Sequence, residues 1–202
     1  MVDADFVHFV GLWVLNMTYC RAVTDAAFVH LRGIRVLVMS HCNQATITDA
    51  GLAHLVGIQK LGIWACTQAT LTDAAFAPLR GIRVLNMGEC SQLTDAAFAH
   101  LKGIHTLIMR YCDQPTITDA ALAHLKGIKC LMLVLCRIPF TEAGLVNLRG
   151  ISRLYMGDAN AATIAAARDL GLPATTGDCT ELSAFRFSDT ESGPWPAGAE
   201  WA

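Results

Sequence analysis

The chain has 202 residues, of which 53% are apolar and 16% charged, with a formal net charge of −2 at pH 7. That length can bury a sizeable core, and the near-neutral balance by itself argues neither for nor against a polyanionic partner. The longest unbroken apolar run, residues 130–136, is too short to span a bilayer, and the acidic start MVDADFVHF lacks the basic segment of a signal peptide.

Taken in order, residues 1–12 already match a half-unit, because they align without a gap to residues 23–34. Then come VTDAAFVHLRGIRVLVMSHC (23–42), ITDAGLAHLVGIQKLGIWAC (47–66) and LTDAAFAPLRGIRVLNMGEC (71–90). LTDAAFAHLKGIHTLIMRYC (93–112) and ITDAALAHLKGIKCLMLVLC (117–136) follow. A Gly followed by Ile or Leu recurs at Gly11, Gly33, Gly57, Gly81, Gly103, Gly127 and Gly150, at steps of 22, 24, 24, 22, 24 and 23 residues. Such a period marks stacked supersecondary units.

Each unit reads as a short helix and then a short strand. Leu52 and Leu55 share one helical face, Thr48 is placed to cap the first turn, and the Asp after it suits the helix dipole. The Gly closes the helix in a left-handed conformation, with Lys or Arg before it in most units. Beyond the Gly the period changes to two: Leu61 and Ile63 alternate with Lys60, Gly62 and Trp64, predicting strands of about three or four residues. Neither element can bury its face alone, so stacking must build the core between a sheet and a row of helices. Loops of two or four residues join the units. The pattern drifts at Arg137-Ile138-Pro139, and a seventh strand at 153–156 has Ala159 where the others have Cys. A last helix is expected over 164–170, stopped by Gly171 and Pro173. The segment after it, rich in Gly and Pro, is expected to be loosely structured, with Phe185, Phe187, Trp195 and Trp201 covering the last coil.

A strand LxL or LxM, then xxC, then a loop and (I/L)TDxxL/F resembles the leucine-rich repeat. The turn cysteine resembles its cysteine-containing subtype, found in F-box/leucine-rich-repeat substrate receptors of ubiquitin ligases. The resemblance covers residues 1–160. It implies an α/β fold: a right-handed solenoid of about seven coils, with a curved parallel sheet on the concave side and short helices on the convex side. Residues 161–202 are then a last helix and a C-terminal cap or tail. The solenoid starts mid-repeat without an N-terminal cap. No room for an F-box precedes it, so the chain reads as a fragment to which that part comes from upstream sequence or a separate chain.

Six of the eight cysteines (Cys20, Cys42, Cys66, Cys90, Cys112 and Cys136) share one repeat position. They are expected as an inward-facing ladder of reduced thiols, each a small apolar group donating weakly to turn backbone. A linear ladder offers no tetrahedral metal site, and reduced thiols place the protein in the cytoplasm or nucleus. No cofactor is expected. The histidines His30, His54, His100 and His124 recur with the repeat and read as a convex stripe. Ser40, His41 and Glu89 form a loose trio without a nucleophile elbow, phosphate loop or metal cluster, so no enzymatic activity is expected.

Function is therefore sought on the outward strand positions, and one step further at their lip (Tyr19, His41, Glu89 and Tyr111), where a protein partner is expected. The candidate contacts are Tyr19, Val38, His41, Trp64, Asn86, Ile108, Arg110, Tyr111, Met132 and Tyr155, a mixture in which aromatics and Arg dominate binding energetics. An apolar strip of Val38, Ile108, Met132 and Val134 is costly to leave wet and marks the same face. The resemblance makes ubiquitin-ligase substrate recognition, with ligase components as partners, the most specific version. Two other readings stay open. A basic rim that includes Arg32, Arg35, Lys60, Arg83 and Arg153 offers a track for nucleic acid or an acidic protein, although helix-end charges account for it and nucleic acid is not the expected partner. The array can also be a purely structural or degenerate repeat fragment. No membrane association is expected.

Overall fold

The structure, a computed structural model, describes residues 1–176. Eight parallel strands pair in chain order: β1 (Val14–Asn16), β2 (Val36–Val38), β3 (Lys60–Gly62), β4 (Val84–Asn86), β5 (Thr106–Arg110), β6 (Cys130–Val134), β7 (Arg153–Tyr155) and β8 (Ala174–Thr175). The register keeps repeat positions in line, Leu15 on Leu37 on Leu61 on Leu85 and onward to Leu107, Leu131 and Leu154. Seven strands coincide with the predicted ones. β8 was not predicted, because its two residues follow a Pro and carry no alternation. The expected covering of the last coil by Phe185, Phe187, Trp195 and Trp201 falls outside the described residues.

The return segments are α1 (Asp25–Phe28), α2 (Asp49–Leu52), α3 (Asp95–Phe98), α4 (Asp119–Ala123) and α5 (Glu142–Leu145), with 3₁₀ segments at Asp3–Phe9 and Asp73–Leu79. α6 (Ala161–Asp169) starts three residues before the predicted helix, where Asn160 caps it by accepting from the amides of Ala162 and Thr163. Helices of four or five residues do not hold themselves in water, since nucleation costs more than so few bonds return. Each is held by its buried side, and Phe28, Leu52, Phe76 and Phe98 are fully buried in one core that runs from Phe6 to Leu172. The closing Gly takes the positive φ expected of it, 84° at Gly57, which turns the chain from helix to strand without a Cβ in the way.

The aspartates have a larger role than complementing helix dipoles. Oδ1 of Asp25 accepts from the backbone N–H of Thr48 at 2.8 Å, and Oδ2 from the Thr48 hydroxyl at 2.7 Å. The Thr48 oxygen then accepts from the amide of Ala50, capping α2 as predicted. The same pair of bonds joins Asp3 to Thr24, Asp49 to Thr72, Asp73 to Thr94 and Asp95 to Thr118. Asp119 likewise accepts from the amide and hydroxyl of Thr141. The starts of α1 to α5 and of the 3₁₀ segment at Asp73–Leu79 are thus each tied to the coil before. In the first coil Val2 stands in the Thr position, and its amide is satisfied within the coil by Asp5 at 2.8 Å. Asp5 occupies the slot that is Ala27, Gly51 or Ala75 in later coils.

The interior has a second ladder, and it is the expected one. The thiols of Cys42, Cys66 and Cys90 donate to the carbonyls of Met17, Met39 and Ile63 in the preceding coil, each at 3.1 Å. All cysteines among the described residues are free. The glutamines of the inter-unit loops point inward and do the same: Gln68 Nε2 donates to the Cys42 carbonyl and Gln92 Nε2 to that of Cys66.

Two outcomes are expected. Asp73→Ala removes both acceptors from Thr94, and urea unfolding should show a loss of about 1–3 kcal/mol, with Asp73→Asn, which keeps one acceptor, losing less. Burial raises the Cys42 thiol from its ordinary 9.0 to about 11 and the Cys66 thiol to about 12. These groups are acids whose native pKa lies above the unfolded value, so their stabilising effect is complete below about pH 9 and declines as the unfolded chain ionises first. The urea midpoint should therefore fall from pH 9 towards pH 12, and Cys66→Ser should flatten that fall.

Candidate partner-binding face

One face of each strand packs on the helices, and the other forms the outward row. In chain order the last outward positions are Thr18, Ser40, Trp64, Gly88, Arg110 and Val134, and each is followed by a residue with positive φ. That residue is Tyr19, His41, Ala65, Glu89, Tyr111 or Leu135, with φ between 54° and 62°. Non-glycine residues enter this region at some cost. They do so here because the turn satisfies the backbone on both sides: the amide of His41 reaches the Trp64 carbonyl at 2.8 Å, and the amide of Cys42 returns to Met39. The turn lifts these side chains to the lip of the sheet, as predicted for Tyr19, His41 and Tyr111.

Three of the candidate residues form a column. The rings of Tyr19 and His41 stack with centroids 4.4 Å apart and planes within 8°, and His41 meets Trp64 edge-on at 4.8 Å. Tyr19 is 60% exposed and Tyr111 49%, while His41, Trp64 and Arg110 are half-buried. The Trp64 ring lies across Gly88, where a Cβ would stand 2.8 Å from Trp64 Cδ1 and 3.0 Å from the Arg110 carbonyl. His41 Nε2, Trp64 Nε1 and Arg110 Nε are all covered and have no hydrogen-bond partner among the described residues. Gly88 was not singled out as a site residue. Its only signal in the sequence is the want of a side chain in a row where Trp64 and Arg110 are neighbours.

Other candidates turn out differently. Ile108 is 7% exposed and Met132 2%, because with Cys130 and Val134 they form a second apolar cluster, flanked by Leu135 and Tyr155. The strip expected to be wet is therefore dry, apart from half-buried Val38. Adjacent long strands bring these side chains against each other along the register Ile108–Met132 and Arg110–Val134. Ile108 and Met132 can support a surface but offer a partner little area. Asn86 Oδ1 accepts from the Gly88 amide at 3.3 Å, as Asn16 Oδ1 does from Thr18, so its oxygen is engaged locally. Half-buried Tyr155 edges the apolar cluster.

The basic rim is less continuous than its sequence suggests. Lys60 is 7% exposed and so does not stand on it. Arg35 Nη1 donates to the Gly57 carbonyl of the next coil at 2.8 Å, and Arg32 Nη2 lies 3.4 Å from His54 Nδ1. Part of the rim thus ties coil to coil. Among the described residues no three His, Cys, Asp or Glu side chains converge as metal ligands, and no helix is long and apolar enough to cross a membrane.

No protein-family profile matches the chain, and no curated protein matches it. Solved structures do. Toll in the Drosophila Toll–Spatzle complex aligns at TM-score 0.57 with 12% identity, over 72% of this chain and 23% of that one. A chain of the TLR13–ssRNA13 complex aligns at TM-score 0.49 with 18% identity, over 72% of this chain and 24% of that one. A chain of the yeast Rad7–Elc1 complex aligns at TM-score 0.47 with 20% identity, over 59% and 34%. The chain spans about a third or less of the length of these structures. The Toll alignment, together with the parallel sheet in chain order, establishes the class: the fold is a leucine-rich-repeat solenoid.

An exposed bond such as that of Arg35 adds little to stability. Arg35→Ala should lower it by less than about 1 kcal/mol in urea unfolding, whereas a rim that only repelled itself would become more stable.

Proposed function

We infer that this chain is a non-catalytic interaction module that holds a protein partner on its concave strand face. One observation carries the reading. The repeated polar residues are engaged in joining coils, while the lip and outward row hold an unrepeated Tyr19–His41–Trp64 column beside Arg110, with three covered polar nitrogens unpartnered. A buried polar atom without a partner costs about 1–3 kcal/mol. The other covered, unpartnered side-chain atoms among the described residues, Gln44 Oε1, Gln68 Oε1 and Gln92 Oε1, recur with the repeat, whereas these three nitrogens do not recur and gather at one place on the outward face. Large aromatics and Arg are also the residues that carry most interface energy.

The finer version is substrate recognition for a ubiquitin ligase. It is supported by the resemblance of the repeat and its turn cysteine to F-box receptors. In that version the adaptor-binding part lies on other sequence or another chain, and the compartment is cytoplasmic or nuclear.

The test is a photo-crosslinking amino acid placed at Tyr111, on the lip, or at exposed Val56, on the rim beside the closing Gly57, in nuclease-treated lysate. The lip position should give discrete protein adducts, identified by mass spectrometry, that Val56 does not give and that Trp64→Ala/Arg110→Glu abolishes. A cullin or its adaptor among them supports the ligase version. Identical adducts from both positions would sink the assignment of the partner to the concave face.

A further inference from the structure

We propose that Trp64, Gly88 and Arg110 form a subsite that reads a carboxylate side chain of an extended, acidic protein segment. The inference rests on the concave-face reading and names the chemistry at its centre. In a repeat array the outward row has one slot per coil, and coil-to-coil spacing brings adjacent slots to about 5 Å. Trp64, Gly88 and Arg110 hold three successive slots. With no side chain at Gly88, the indole can lie across it, with Cδ1 2.8 Å from the position of the missing Cβ. Nε1 is bonded to Cδ1, so the indole N–H borders the same gap. The backbone N and carbonyl oxygen of Arg110 border it from the other side, at 3.2 and 3.0 Å from that position.

Two nitrogens without partners among the described residues define the ligand. Indole Nε1 only donates, and guanidinium Nε only donates, so what satisfies both is an acceptor. The positive charge of Arg110 selects an anionic one, and its planar fork suits a carboxylate. The charge of the row agrees. Its side chains include Lys60, Arg110 and Arg153 and no Asp or Glu; the nearest carboxylate in sequence, Glu89, stands at the lip. Peptide is favoured over nucleic acid because the ring that borders the gap has its face engaged: Trp64 lies on Gly88 and meets His41 edge-on. Successive bases need free faces of this kind.

Both nitrogens are covered in the free protein, so the ligand is admitted as the Trp64 ring lifts from Gly88. An added Cβ at Gly88 strikes the ring at 2.8 Å and blocks the gap between the two donors without altering charge.

The test is selection of a displayed library of random peptides on the full chain, followed by affinity measurement on variants of matching thermal stability. Peptides held by the concave face should be enriched in Asp or Glu at one position, and replacing that residue by its amide should weaken binding about tenfold or more. Arg110→Gln and Gly88→Ala should lose a similar factor. Trp64→Phe, which keeps a ring and removes only the donor, should lose part of it. Peptides that need the concave face but show no acidic preference would overturn the carboxylate subsite and leave the concave-face reading standing. Selected peptides indifferent to all these variants, or no selection at all, would overturn both. Single-stranded oligouridylate bound more tightly than any peptide, and weakened by Arg110→Gln, would overturn the peptide assignment in favour of nucleic acid.

Discussion

Six successive helix starts, from Thr24 to Thr141, depend on a carboxylate supplied by the coil before. The helices are four or five residues long outside α6, and the first amides of so short a helix have few partners of their own. Asp25 meets that need for the next coil by accepting from the amide and hydroxyl of Thr48, whose oxygen caps α2 in turn. Because the carboxylate and the Thr lie on different coils, helix formation and coil stacking become one event. Cys42 and Gln68 extend the same logic to the interior, where side chains of one coil satisfy carbonyls of the coil before.

That arrangement decides which residues are available for function. Asp, Thr, Cys and Gln recur in the sequence, and apart from the thiol of Cys20 in the first coil each recurrence bonds to a neighbouring coil. The histidines and arginines beside the closing Gly are drawn partly into the same task, as Arg35 shows by bonding to the Gly57 carbonyl. What the architecture leaves largely without a structural duty is the lip, together with the part of the outward row that lies outside the cluster of Ile108, Cys130, Met132 and Val134. There the backbone turns through positive φ at Tyr19, His41 and Tyr111, and their side chains are raised above the sheet. Variation between coils costs little at these positions, so a particular surface can accumulate on a repetitive frame.

Much of this was legible in the residues alone. The spacing of the Gly–Ile/Leu pairs gave the number of coils, the alternation after each Gly located seven strands, and the shared position of the cysteines predicted an unbridged inward ladder. These features are local or strictly periodic, and a period is visible in one dimension. β8 was not legible, since its two residues owe their conformation to the edge of β7.

The candidate face was read in part. Its membership by rows follows from side-chain alternation, which is why Tyr19, His41, Trp64 and Arg110 were named from sequence. Their states were not. Ile108 and Met132 look like a wet apolar strip until β5 and β6 bring them together with Cys130 and Val134 and exclude water. Asp73 looks like a helix-dipole charge until Thr94 stands next to it. Gly88 looks like a gap in a pattern until Trp64 lies across it. Sequence by itself determined the repeat, the strand faces and the cysteine ladder, because each depends on spacing along the chain. Only tertiary structure decided which outward residues are dry and which donors are unpartnered. Those properties belong to pairs of residues more than twenty positions apart, brought together only when one coil settles on the next.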